Sequence, residues 1–232
     1  MNNNMVRIVG AVTILWAARS YYRNWGTTKE ECRMNLPGDE LIRRPSVQST
    51  EGIWIDAPPS DVWPWLVQIG LDRGGLYCSG IAEVLIGPDH AKADGIHHQW
   101  QHLAPGDTIR LTPSGWLGLR HGLTLTVDQV VDGSLLVLRG SRPGMPWDTV
   151  WSFHLLPRWE DRCRLLIRTR TRLRHPGEVL GVELAGPMVA LLTRGMLLGI
   201  KHRADPATPA GGRQDTPEPS ANTSSKPATR HA

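Results

Sequence analysis

The chain has 232 residues, with 26 Lys and Arg against 22 Asp and Glu and a formal charge of +4, which leaves room for one domain of about 150 residues plus extensions but not for two full domains. Its three cysteines, Cys32, Cys78 and Cys163, are odd in number and lack C-x-x-C spacing, which argues against a disulfide framework or zinc knuckle and fits a reducing compartment. So mild a basic balance points by itself to neither nucleic acid nor anionic lipid.

Residues 1–24 carry an apolar run at 8–18, flanked by Arg7, Arg19 and Arg23. It is too short to cross a hydrocarbon core that needs about 20 residues. Bulky Tyr21, Tyr22 and Trp25 follow where a signal peptide would show a small-residue cleavage site. Two expectations remain: a helix packed on the domain, which is favoured, or an interfacial helix touching a membrane surface through residues 6–23.

Residues 25–50 read as an ordered arm. Trp25-Gly-Thr-Thr-Lys-Glu-Glu31 is a capped helical turn with Thr27 as the cap, and Leu36-Pro-Gly-Asp39 breaks it. Residues 51–203 form the expected domain. A strand at 51–56 leads through Ala57-Pro-Pro-Ser-Asp61 into a helix at 60–69, with Pro64 in its first turn. A second short helix is expected at 80–86.

Strands follow at 108–111, 123–131, 134–139, 149–155 and 163–173, with Val131-Asp-Gly-Ser134 as a hairpin signal, since Asp-Gly supplies positive φ angles. Short turns between them imply an antiparallel meander. The apolar stretch 179–200 is a helix bent near Pro187; Glu183, Arg194 and frequent Gly make it a helix packed along one face rather than a membrane span. From Ala204 to Ala232 there is no Leu, Ile, Val, Phe, Trp or Tyr and there are five prolines, so residues 204–232 are expected to be a disordered tail.

One strand, two short helices, an antiparallel meander and a long C-terminal helix make an α+β helix-grip layout, a curved antiparallel sheet wrapped around that helix. Several motifs point the same way: Trp25-Gly-Thr-Thr-Lys-Glu-Glu31, Leu36-Pro-Gly-Asp39, Ile55-Asp-Ala-Pro-Pro-Ser-Asp-Val-Trp-Pro-Trp-Leu-Val-Gln68, Asp72-Arg-Gly-Gly-Leu-Tyr77, Leu103-Ala-Pro-Gly-Asp107, Trp151-Ser-Phe153 and Met196-Leu-Leu-Gly-Ile-Lys201. With them the chain resembles the bacterial START-like (SRPBCC) proteins related to polyketide cyclases, from about Trp25 to Arg203. The resemblance implies a cavity between sheet and final helix that takes a small hydrophobic molecule, lipid-like or polyketide-like, and supplies no catalytic set. After Tyr77 the chain departs from the pattern, with Cys78-Ser-Gly-Ile81 in place of an aromatic-and-Asp stretch.

Ten Trp against three Tyr and one Phe make tryptophan the large side chain here, useful where an apolar wall must also hold a polar contact. The expected ligand-binding residues are Trp151, Phe153, Met188, Leu192 and Met196, with Tyr77 and Trp100 near the entrance. Met188 and Met196, eight apart, share a helix face, and thioethers adapt to varied ligands. The same residues could equally be ordinary core.

Asp61, Asp72, Asp107 and Asp148 are the acidic residues weighed for proton transfer; Asp61 and Asp107 read as a helix-start and a turn residue. Asp148 and His154 remain as catalytic candidates. His90, His97, His98 and His102, with Asp89 and Asp94, are the His-rich cluster, read as exposed side chains with His90 and Asp94 at the cavity mouth; no metal site and no cofactor is expected. In 163–173, Leu165, Ile167, Thr169 and Thr171 alternate with Leu166, Arg168, Arg170 and Arg172, which places the first set toward the cavity and the arginines on a convex, solvated face. Nucleic-acid binding is not expected, since no recognition motif accompanies that stripe.

The leading expectation is a non-catalytic binder or carrier of a small hydrophobic ligand. The alternatives are a cyclase- or dehydratase-type enzyme using the same cavity, and a membrane-surface module. The chain is expected in the cytoplasm, with association at the inner membrane face as a variant.

Overall fold

A computed structural model describes residues 19, 21–78, 93–116, 120, 122–140, 147–175 and 177–205. The apolar run at 8–18, the second short helix at 80–86, Asp89, His90 and the tail beyond Asp205 lie outside them. Six strands, β1 (Val47–Ile55), β2 (Thr108–Arg110), β3 (Thr124–Val131), β4 (Leu135–Gly140), β5 (Trp147–Arg158) and β6 (Arg162–Leu173), form one sheet in the order β1-β6-β5-β4-β3-β2. Every pairing is antiparallel. A register shift between Val127 and Gln129 of β3 marks a bulge, a device that bends a sheet. The architecture is a helix grip: an open curved sheet around one long helix.

Among the described residues, besides the helical residues 21–23, three α-helices accompany it: α1 (Lys29–Arg33) in the arm, α2 (Pro59–Val67) after β1, and α3 (Glu178–Ala204) at the end. α2 starts with Pro59 at its first position, where the missing N–H costs nothing, so Pro64 falls in the second turn rather than the first. α3 runs through Pro187 and on to Ala204, one residue into the stretch expected to be tail. α3 has the length and composition of a membrane span, yet Leu192, Met196, Leu197 and Ile200 are buried in the main core with Phe153, Leu165 and Ile167. Gly199 of α3 explains part of this helix's glycine content: a Cβ there would collide with the carbonyl of Tyr77. The chain after α2 lies directly on the helix backbone.

The opposite face of the sheet is where the structure departs most from expectation. The cap of α1 is Thr28, not Thr27: its hydroxyl accepts from the Glu31 amide while the Glu31 carboxylate accepts from the Thr28 amide. Thr27 instead donates to the carbonyls of Asn24 and Thr50, tying the arm to β1. A short 3₁₀ turn, Asp39–Ile42, follows, and Ile42 packs with Leu135, Val137 and Val150 as a second small core.

Beneath this arm lie the arginines expected in solvent. Arg168 is only 1% exposed. It donates to Asp39 Oδ2 at 2.8 Å, to the carbonyls of Met34 and Glu31 at 2.6 Å each, and to Thr50 Oγ1 at 3.2 Å. Arg164 grips Glu31 through two hydrogen bonds of 2.9 and 2.8 Å. Arg170 Nε stands 3.0 Å from Asp39 Oδ1, an ion contact outside hydrogen-bond angles, and donates from Nη1 to the carbonyls of Asp39 and Ile42. Only toward the end of β6, at Arg172, does the stripe reach solvent. Alternation correctly separated the two faces of β6, but the polar face is covered by the arm.

Removing one partner from a buried ion pair strands the other, at a cost of about 3–5 kcal/mol. Arg168→Met is therefore expected to lower stability by about that much, read from the shift in a urea unfolding midpoint. A loss below about 1 kcal/mol would show that the arm is held some other way.

Candidate functional site

Between the sheet and the N-terminal half of α3 lies a cavity of about 490 Å³, within the size range of drug-sized ligand pockets. Its origin is a run of small residues on facing elements. α3 presents Gly181, Ala185, Gly186 and Ala190, and the strands opposite present Ser49, Thr149, Thr169 and Thr171. Further along the same elements, Phe153, Leu155, Leu165 and Ile167 meet Met196, Leu197 and Ile200, and the space is filled. One end of the grip is solid and the other hollow.

Large apolar side chains complete the wall: Trp116, Leu123, Trp147, Trp151, Met188 and Val189. A smaller pocket adjoins it, sharing Trp116, Leu123, Trp151 and Val189 and adding Leu192 and Met196. At the rim, Leu184 is 74% exposed. The rim is braced by the helical residues 21–23, where Arg23 donates to Glu183 of α3 at 2.9 Å, while Arg19 makes two bonds of 2.9 and 2.8 Å to the same carboxylate. Those bonds, with Arg19 leading, hold the Glu183 carboxyl below its usual range.

Of the residues expected to bind ligand, Trp151 and Met188 face the main cavity, and Leu192 and Met196 line the smaller pocket with Trp151. Phe153 is fully buried in the solid end. Tyr77 lines neither pocket: it is 3% exposed, with φ +56°, donating its hydroxyl to the Trp65 carbonyl at 3.0 Å and lying under Arg203. Burial pushes its phenol up to about 12. Trp100 sits half-buried in a short 3₁₀ turn against the ring of His97, away from the cavity wall.

Asp148 and His154 point the wrong way. Both alternate with the cavity-lining Trp147, Thr149 and Trp151 and the core residue Phe153, so they fall on the arm side of β5. Asp148 there pairs with Arg172 at 2.7 Å and Arg174 at 2.8 Å. His154 is buried, and desolvation, helped by Arg168 and opposed by Asp39, pulls its pKa down to about 4. Neither side chain reaches a molecule in the cavity. His97, His98 and His102 are exposed, and among the described residues no three His, Cys, Asp or Glu side chains gather as metal ligands.

A residue that the sequence reading passed over does reach the cavity. Glu51 of β1 is 2% exposed, lines the cavity, and its Oε2 has no hydrogen-bond partner. Desolvation raises its pKa to about 8, against the pull of Arg194 on α3. Arg194 is itself engaged elsewhere, stacked on the rings of Trp25 at 4.5 Å and Tyr21 at 5.9 Å. The signal was present in the sequence: Val47, Ser49, Glu51 and Ile53 alternate along one strand face, so a charge interrupts a face that otherwise turns inward.

No family model matches the chain, and no curated protein matches it. Among solved structures the chain is similar to norcoclaurine synthase from Thalictrum flavum, at 15% identity and a TM-score of 0.40 over 72% of this chain and 93% of that one. It is similar also to a conserved protein from Geobacillus kaustophilus, at 12% identity and a TM-score of 0.41 over 68% and 95%. CalU16 from Micromonospora echinospora matches at 14% identity and a TM-score of 0.35 over 68% and 83%. Such distant likenesses carry nothing about activity or ligand. The fold stands on the sheet order and α3 themselves.

Glu51 also sets a pH dependence. Its raised pKa means that the folded state keeps a proton the unfolded chain releases near 4.5. The stability linked to that proton is fully present below about pH 4.5 and is lost as pH rises through about 8. Glu51→Gln cannot titrate, so calorimetric Tm values should show the variant gaining on the unsubstituted protein between pH 5 and 8.5. Both proteins share His154, whose contribution cancels. A constant difference across that range would show that Glu51 is not buried unpaired.

Proposed function

We propose that this protein binds or carries a small hydrophobic molecule, lipid-like or polyketide-like, in the hollow end of its helix grip. The observation that carries the reading is the 490 Å³ cavity, walled by Trp116, Trp147, Trp151, Met188 and Val189 and kept open by small residues on α3 and β6. A well-packed domain leaves few voids larger than a water molecule. A hollow of this size forgoes packing that larger side chains at Ala185, Gly186 or Thr169 would provide, and a bound apolar molecule restores those contacts. Trp151 and Met188 are the proposed main contacts, with Leu192 and Met196 at the inner end. Tyr77 and Phe153 belong to the packed core and Trp100 lies away from the wall, so none of the three is proposed as a contact. The cyclase or dehydratase alternative receives no help from Asp148 or His154, which face the arm.

Filling the hollow tests this reading. Ala185→Trp places an indole in the cavity from α3, and is expected to weaken binding of the neutral apolar dye phenylnaphthylamine at least tenfold while circular dichroism stays that of the unsubstituted protein. Equal dye affinity in both proteins would refute a ligand site at this position.

A further inference from the structure

Burying a carboxyl without a partner is expensive, and the neighbours of Glu51 on the same strand face, Val47, Ser49 and Ile53, carry no charge to offset it. Among the described residues no cation stands within ion-pair distance of it, and Oε2 is an orphan buried within the cavity wall that Glu51 helps to form. Within that wall the remaining polar groups are the hydroxyls of Tyr22, Ser49, Thr149, Thr169 and Thr171, the indole N–H groups of Trp116, Trp147 and Trp151, and the guanidinium of Arg23. Thr149 and Thr171 already share a hydrogen bond at 3.3 Å, and Arg23 is committed to Glu183. Among the lining residues described, Glu51 is the one with a side-chain atom that is both fully buried and without a hydrogen-bond partner.

Resting on the ligand-binding reading above, we propose that Glu51 is the polar anchor of the cavity, a neutral carboxyl whose O–H donates a hydrogen bond to a carbonyl oxygen at one end of an otherwise apolar ligand. The charge distribution selects this class over an amine. The charge acting on Glu51 is Arg194 from α3, and the other charged group in the cavity wall is Arg23 from the helical residues 21–23, while β6 and β5 offer only threonines and tryptophans on this face. A cationic ligand would have to enter beside two guanidinium groups and ionise Glu51 before any carboxylate could pair with it. A carbonyl brings one acceptor for one buried donor, and the pairing removes the orphan. The proton is at hand because burial lifts this carboxyl to about 8. The contact is a hydrogen bond only, and no bond is made or broken.

The anchor separates a ketone from a hydrocarbon of the same length, so methyl dodecyl ketone and tetradecane serve as probes, followed by quenching or blue shift of the cavity tryptophans in the full-length protein. The unsubstituted protein is expected to bind the ketone at least tenfold more tightly than tetradecane at pH 6.5. Glu51→Leu should lose that preference while still binding tetradecane. Glu51→Gln retains a donor and should keep the preference at neutral pH. As pH rises through about 8 the ketone preference of the unsubstituted protein should fall, because an ionised carboxylate has no proton to donate, whereas that of Glu51→Gln should stay flat to pH 9.5. Equal affinity for the two probes, or a preference that survives Glu51→Leu, in a protein that binds tetradecane would overturn the anchor and leave the cavity reading standing. Binding of neither probe would count against both.

Discussion

A sheet that leaves one half of its concave face unfilled must be held from its convex face, and here Arg168 does the holding. One buried guanidinium gathers Asp39, the carbonyls of Glu31 and Met34, and Thr50. It thereby fixes the arm, β6 and β1 to one another. Arg164 with Glu31 and Arg170 with Asp39 extend the same clasp along β6. Guanidinium suits the task because its planar fork satisfies several acceptors at once and stays charged when buried. On the concave side, dispersion contacts at the hollow end are missing. The clasp lets the strand curvature persist without them.

The two faces therefore have opposite duties. Alternation along β5 and β6 sends Trp147, Thr149, Trp151, Thr169 and Thr171 to the cavity and Asp148, His154, Arg168 and Arg170 to the arm. That division removes the titratable groups that looked catalytic from the place where chemistry could occur. Glu51, in contrast, puts one carboxyl among the hydroxyls and apolar side chains of the cavity wall, which fits recognition of a ligand's single polar end.

How far the sequence reached follows from what alternation can and cannot say. The hairpin at Asp132-Gly133, the long strands and the apolar C-terminal helix were legible because turn chemistry and periodicity are local. Which face of β6 meets solvent was not, since that depends on an arm more than a hundred residues earlier in the chain. Yet Glu31 and Asp39 in that arm were the acidic partners the stripe required. Glu51 was missed because β1 begins at Val47 rather than at residue 51, so a mid-strand inward carboxyl looked like a strand-end charge. Tyr77 was misplaced for a different reason. An aromatic after a glycine-rich turn resembles an entrance residue until Gly199 is seen to admit its backbone against α3.

The central claim, that the hollow end of the grip exists to hold an apolar molecule, is tested most directly by native mass spectrometry of the full-length protein purified from the organism that makes it. The account predicts one non-covalent adduct of a few hundred daltons per chain, released on unfolding and extracted into organic solvent. A spectrum showing only the mass of the chain, with the same protein unable to take up any apolar molecule afterwards, would contradict it.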